Sequence, residues 1–269
     1  MASSFNRGGK GKVIASLMPP DADRSMVALR DHMTEGVVDY EWLTSISRRL
    51  RSGRIVDSEL DDIYPTSIRA VSSLFWTPVS VAIRAAELLV KEPSTRVLDV
   101  GSGAGKFCIV GAATTGASFT GIEHRERLVR TARLAASRLG IDEARFIHGS
   151  FDTVNIESFD AIYLFNPFEE NLWDSESHLD DTVELSDERF VADIDSAEAL
   201  LARARVGTRV VTYHGFGGQM PSSYLRALRE RRHTGYLDLW VKMDGRSVVR
   251  DGALAIASDP CDDIERVRS

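Results

Sequence analysis

Val97-Leu98-Asp99-Val100-Gly101-Ser102-Gly103-Ala104-Gly105 decides how this chain folds. An apolar run broken by one acid meets three glycines at alternate positions. Lys106-Phe107-Cys108-Ile109-Val110 then continues as a helix start. The pattern reads as strand, tight turn, helix. Glycine admits positive φ and lets a ligand approach the main chain. The first turn of the helix offers unpaired N–H groups at the positive end of its dipole. Such a turn suits a polar or anionic ligand held against bare backbone.

Spacing separates the ligand classes. A phosphate P-loop, G-x-x-x-x-G-K-[ST], would need glycine at Val100 and Ser or Thr at Phe107, and is excluded. A dinucleotide fingerprint, G-x-G-x-x-G, matches Gly101 and Gly103 but meets Lys106 at its third glycine. The pattern that fits is D-x-G-x-G-x-G, Asp99 to Gly105, which resembles motif I of the class I S-adenosylmethionine (SAM)-dependent methyltransferases. A glycine-rich turn with no ligand is the competing reading.

The whole chain sets bounds. Its 269 residues allow one large domain, or one domain with an appendage. Hydrophobic residues make up 43%, enough for a sizeable core. A net charge of −7 argues against a general nucleic-acid or membrane-surface binder. The two cysteines, Cys108 and Cys261, support neither a disulfide framework nor a Cys-rich zinc site. No metal site is expected. The N-terminus lacks a signal-peptide pattern, and no apolar run reaches the ~20 residues of a membrane span. The expectation is a soluble, cytoplasmic protein, monomer or homodimer.

In chain order, residues 1–20 read as a mobile tail and 21–75 as an N-terminal helical cap. Within the cap, Ser25 to Met33 is one short helix. Asp39 is a candidate N-cap for a second, with Leu43, Ile46 and Leu50 on one face, stopped by Gly53. Residues 76–269 form the main domain. Val79 to Lys91 is an apolar helix leading to the strand of Asp99. Strands follow at Ala117 to Glu123, Ala144 to His148, Phe159 to Phe165 and Thr208 to His214, alternating with helices from Arg125 and Asp187. The loop Gly215 to Pro221 leads into a helix ending near Arg232. Tyr236 to Met243 and Ala253 to Ala257 read as two final strands. Strands alternating with amphipathic helices give an α/β fold with a doubly wound, mostly parallel sheet. Seven strands closed by an antiparallel hairpin is what the family resemblance implies.

Ligands of doubly wound sheets sit at the carboxyl ends of the strands, so the candidate residues are gathered there. Asp99, Gly101, Ser102, Gly103 and Gly105 form the turn itself, and the resemblance implies that they hold the methionine part of SAM. Glu123 ends the second strand 24 residues after Asp99, placed to take both hydroxyls of a ribose; His124 follows it. Gly149-Ser150-Phe151-Asp152 follows the third strand. The family often has an acid directly after this glycine for the adenine amine. Here Ser150 holds that place and Asp152 comes two later, so both remain candidates, with Phe151 packing on the base. Trp76 and Thr77 precede the helix that enters motif I and are candidate cofactor neighbours; a core anchor is the alternative for Trp76.

Asn166-Pro167-Phe168 ends the fourth strand, where the resemblance places the methyl acceptor. Amino-methylating members carry Asn-Pro-Pro-aromatic there, in which the Asn side chain and a proline carbonyl accept hydrogen bonds from the target amine. This chain has one proline, a shortened form that favours nitrogen as acceptor. Strand termination alone is the other reading. His214, ending the fifth strand, is a candidate base, with a packing role as its alternative. The acid-rich stretch Glu169 to Glu184 offers a surface for a cationic acceptor or a solvated loop.

The reading is thus a SAM-dependent methyltransferase with an acceptor of unassigned class, protein side chain or small molecule. The alternatives are an aminopropyl transferase using decarboxylated SAM, an NAD-dependent oxidoreductase, and a non-catalytic SAM-binding protein.

Overall fold

A computed structural model describes residues 40–244. The tail, the Ser25 to Met33 helix, the Asp39 cap and the Ala253 to Ala257 strand lie outside the described residues.

The cap begins with α1 (Tyr40–Arg51), which buries Leu43, Ile46 and Leu50 on one face, as its spacing predicts. Each such side chain contributes about 1.5–3 kcal/mol on burial. Three one-turn helices follow: α2 (Asp57–Asp61), α3 (Thr66–Arg69) and α4 (Ser72–Phe75). Pro78 then fixes the chain into α5 (Val79–Leu89), whose first N–H donates to Asp57 Oδ1 at 3.0 Å. A helix start without a side-chain cap of its own is thereby satisfied from the cap segment.

Among the described residues the sheet has seven strands in the order β3-β2-β1-β4-β5-β7-β6. β1 (Arg96–Val100), β2 (Ser118–Glu123), β3 (Ala144–His148), β4 (Ala161–Phe165) and β5 (Arg209–Tyr213) run parallel. Strand periodicity assigns the two faces. Val97, Ala161, Tyr163 and Val211 join one core with the cap, α5, α6 (Lys106–Thr115) and α7 (Glu126–Leu139). Leu98, Val100, Ile162, Leu164 and Val210 join a second core under α8 (Asp187–Arg203). β1 pairs with both β2 and β4, which lie on its opposite sides. That is the switch in strand order beside which such sheets bind ligands.

One expected helix is a strand. Tyr224–Arg232 forms β6 and pairs antiparallel with β7 (Gly235–Lys242), which pairs antiparallel with β5. Its Leu, Ala, Arg and Glu content favours a helix in isolation, but pairing with β7 overrides that preference. Among the described residues the stretch is an edge strand, and arginines on an edge discourage further pairing. Arg226 lies over the Trp240 ring and Arg229 pairs with Asp238 at 2.8 Å. The closing hairpin is therefore β6 with β7, rather than Tyr236 to Met243 with Ala253 to Ala257. Among the described residues no helix is long and apolar enough to cross a membrane.

Candidate functional site

The glycine turn sits between two other segments of the site. Gly101 and Gly103 have φ of +72° and +54°, so L side chains are disfavoured there. Space is also absent. A Cβ on Gly103 would fall 2.1 Å from Cζ3 of Trp76, and one on Gly101 would fall 2.9 Å from Cβ of Pro167. The indole of the cap and the Asn-Pro-Phe turn after β4 thus both pack on bare backbone. Trp76 is held by its Nε1–H donating to the Ile68 carbonyl at 3.4 Å.

The helix after the turn begins with a buried cation. Lys106, 3% exposed, places Nζ 2.6 Å from Asp57 and 2.7 Å from Asp61. A cation at a helix start opposes the dipole; the two carboxylates of α2 offset it. Asp57 binds both Lys106 and the Val79 N–H, so one side chain fixes the starts of α5 and α6 together.

Glu123 is buried at the end of β2. Oε2 accepts from the Gly103 N–H at 3.0 Å and Oε1 from the Arg125 N–H at 2.9 Å. Burial raises its pKa, opposed by the hydrogen bond from Arg125, the positive charge of that residue and the bond from Gly103. The carboxylate braces the turn and still has lone pairs to offer, since two oxygens provide about four acceptor sites. Beside it, burial and then the charge of Arg125 push His124 down to about 4, so this imidazole is neutral at pH 7.

Asn166 occupies the left-handed region, φ +39°, which asparagine tolerates. Its N–H donates to the Gly215 carbonyl at 2.9 Å, joining the ends of β4 and β5. Its side-chain amide makes no hydrogen bond to the described residues and lines the same cavity as Gly101, Gly103 and Glu123. Phe168 is buried against Phe151, ring centroids 5.2 Å apart. The Phe168 carbonyl accepts from Nδ2 of Asn171 at 3.1 Å. Phe75, Trp76 and Trp173 add an aromatic wall, with Phe75 and Trp173 centroids 5.2 Å apart.

Of the candidates read from the sequence, Trp76, Gly101, Gly103, Glu123 and His124 meet in this cavity, together with Ser150, Phe151 and the Asn166-Pro167-Phe168 turn. Six others lie off its wall. Thr77 shares a hydrogen bond of 2.9 Å with the Tyr163 hydroxyl inside the core. Ser102 is buried against Gly121, and Gly105 packs on Phe146. Asp152 is exposed in a short turn, which leaves Ser150 as the member of that pair facing the cavity. Asp99 is buried and accepts the Cys108 thiol at 3.4 Å; burial pushes its pKa up to about 7. His214 packs edge-on to Tyr213 and near Thr234 Oγ1 at 3.3 Å, beside the β6–β7 turn.

Several cavity residues carry no motif signal. Arg125, Glu170, Asn171, Trp173, Arg189 and Asp193 all line it. The one available hint was position: Arg125 is two residues beyond the ribose acid, and Glu170 four beyond Asn166. Glu170 and Asp180 from the acid-rich stretch are engaged by Arg125 and Arg127 at 3.0 Å.

Sheet order, glycine turn and ribose-placed acid are arranged as the resemblance to class I, SAM-dependent methyltransferases implies. Within that class, residues 91–204, under half of the chain, match the family described as "Methyltransferase domain". No curated protein matches the sequence. Among solved structures, the chain is similar to an RNA methyltransferase from Salinibacter ruber in complex with S-adenosyl-L-homocysteine. Identity is 22% over 62% of this chain and 94% of that one, with a TM-score of 0.48. It is also similar to TrmN from Thermus thermophilus, at 19% identity over 62% of this chain and 49% of that one, TM-score 0.46. A third likeness is to a variant of MtNAS in complex with S-adenosylmethionine, at 12% identity over 76% of each chain, TM-score 0.45. None of the three says what this chain methylates.

Proposed function

We propose that the chain methylates a nitrogen atom of its acceptor, seated against Asn166. One observation carries the reading: an unengaged Asn166 amide in a left-handed turn, whose neighbour Pro167 packs on the glycine turn itself. Donor and acceptor positions are then adjacent by construction of the backbone.

When bound, SAM supplies a methyl carbon made electrophilic by its sulfonium. Bare backbone at Gly101 and Gly103 would receive the methionine end, and Glu123 keeps acceptor sites that ribose hydroxyls would fill. Ser150 and Phe151, on the cavity wall, would border the adenine. Asn166 Oδ1 accepts an N–H of the target and turns the nitrogen lone pair toward the methyl carbon. The target nitrogen would take the methyl group of SAM bound there, with the C–S pair going to sulfur and the nitrogen's proton to water. Positioning supplies much of the acceleration in such an in-line displacement, so the reaction does not need a strong base. Of the acid-rich stretch, Glu170 and Asp180 are held by Arg125 and Arg127, which leaves fewer carboxylates for a polyamine and favours methyl over aminopropyl transfer.

Low cysteine content and net negative charge suit a cytoplasmic protein acting on a protein side chain or small molecule, as monomer or homodimer. Calorimetric titration with SAM, decarboxylated SAM and NAD tests the donor, and absence of SAM binding would sink the reading. Incubation of protein, RNA and small-amine fractions with methyl-labelled SAM, followed by product analysis, tests for nitrogen as the accepting atom.

A further inference from the structure

Arg125 is 4% exposed, an expensive place for a guanidinium unless its donors are met. They are met almost wholly by one segment. Nη1 and Nη2 donate to the two oxygens of Glu170 at 3.0 Å each, a bidentate fork, and Nε donates to Asp180 Oδ1 at 3.0 Å. Both acids belong to residues 169–182, which follow the Asn-Pro-Phe turn. Glu170 also accepts the Leu179 N–H at 2.6 Å, folding the segment onto itself, and Asp180 takes a second cation, Arg127, at 3.0 Å. This strap delivers Trp173 and Leu179 to the cavity wall. The main-chain N–H of Arg125 meanwhile donates to Glu123.

Arg125 thus touches the ribose acid through its backbone and the strap through its side chain. We propose that Arg125 is a positioning residue that couples the SAM seat at Glu123 to the closed placement of the strap at residues 169–182. The inference rests on SAM being the ligand of the cavity. The fork geometry is part of it. A lysine ammonium keeps the charge but cannot span both Glu170 oxygens in plane.

The test is calorimetric titration of the full chain with SAM, alongside thermal unfolding, for Arg125→Lys, Glu170→Gln and the pair. Each single change is expected to weaken SAM binding about tenfold, and the pair no further than either single, because the two act as one unit. Affinity measured well below the melting temperature separates positioning from stability, since a purely structural role lowers melting and leaves SAM affinity unchanged. Glu170→Gln is isosteric and decides alone where Arg125→Lys fails to fold. SAM affinities within twofold of the unmodified chain overturn the coupling, as do fully additive losses. Failure of the unmodified chain to bind SAM overturns the function reading instead.

Discussion

The Trp76 indole occupies the space a side chain at Gly103 would need, with Cζ3 only 2.1 Å from the position of a Cβ. The cap and the SAM turn are therefore fitted to each other at a single atom's resolution. Gly103→Ala, strained at φ +54° and blocked by the ring, is expected to cost roughly 2–4 kcal/mol and to remove SAM binding. The same change in a Trp76→Phe background should cost less, because the smaller ring leaves room. Denaturant unfolding of the four proteins checks the compensation; equal costs in both backgrounds would show that backbone strain alone matters.

The Lys106 ammonium is buried between Asp57 and Asp61. Lys106→Met removes the charge but leaves Asp61 facing an apolar neighbour. The expected loss is about 2–3 kcal/mol, below the usual figure for breaking a buried pair because Asp57 remains half exposed. Urea titration followed by far-ultraviolet circular dichroism measures it, and no change in the midpoint would contradict this account.

Asn166 combines a functional amide with a left-handed backbone. Asn166→Gly relieves the strain and should match or exceed the stability of the native chain, whereas Asn166→Ala should cost around 1 kcal/mol. Both should bind SAM within a few-fold of the unmodified protein and transfer no methyl group. Turnover surviving in either variant, measured with labelled SAM once an acceptor fraction is found, would remove Asn166 from the chemistry.

Asp99 titrates near pH 7 in the folded protein because burial disfavours its charge. The unfolded chain releases that proton near pH 4. Between those values the folded state holds the extra proton, so the contribution of Asp99 to stability falls as pH rises from about 4 to about 7. Asp99→Asn abolishes this dependence and leaves an acceptor for the Cys108 thiol. The gain in melting temperature of the variant over the native chain should therefore grow from about pH 4 to about pH 7 and stay level above it. Glu123, also raised by burial, raises the Asp99 pKa further by charge repulsion, so the difference between the two proteins reports Asp99 together with its coupling to Glu123.

The strand–turn–helix at residues 97–110, the parallel direction of the first five strands and the place of Glu123 at the end of β2 were legible because local pattern dictates them. Hydrophobic alternation shows the strands, and glycines show where main chain must approach main chain. The β6 strand was hidden because its residues prefer a helix and only pairing with β7, where Tyr224, Leu225 and Leu228 meet Lys242, Val241 and Leu239, tells them otherwise. The Arg125 clamp was hidden for a related reason. An arginine and a glutamate 45 residues apart leave no periodic trace, and acids in a polar loop look the same whether solvated or forked onto a guanidinium. Asp99 and Ser102 illustrate the converse. Their positions in the motif are clear, yet the pleat of β1 sends Asp99 inward to Cys108, and the turn after it sends Ser102 inward to pack on Gly121.

The residues that match the methyltransferase family, 91–204, stop before β5, β7 and β6 and begin after Trp76 and both counter-ions of Lys106. Cut out as a fragment, that span would expose the β4 edge to the solvent and to other fragments, and would strand an unneutralised ammonium at the start of α6. The recognisable signature and the autonomous folding unit are different lengths of chain, so deletion mapping that trims to the signature would report aggregation and be misread as loss of catalysis.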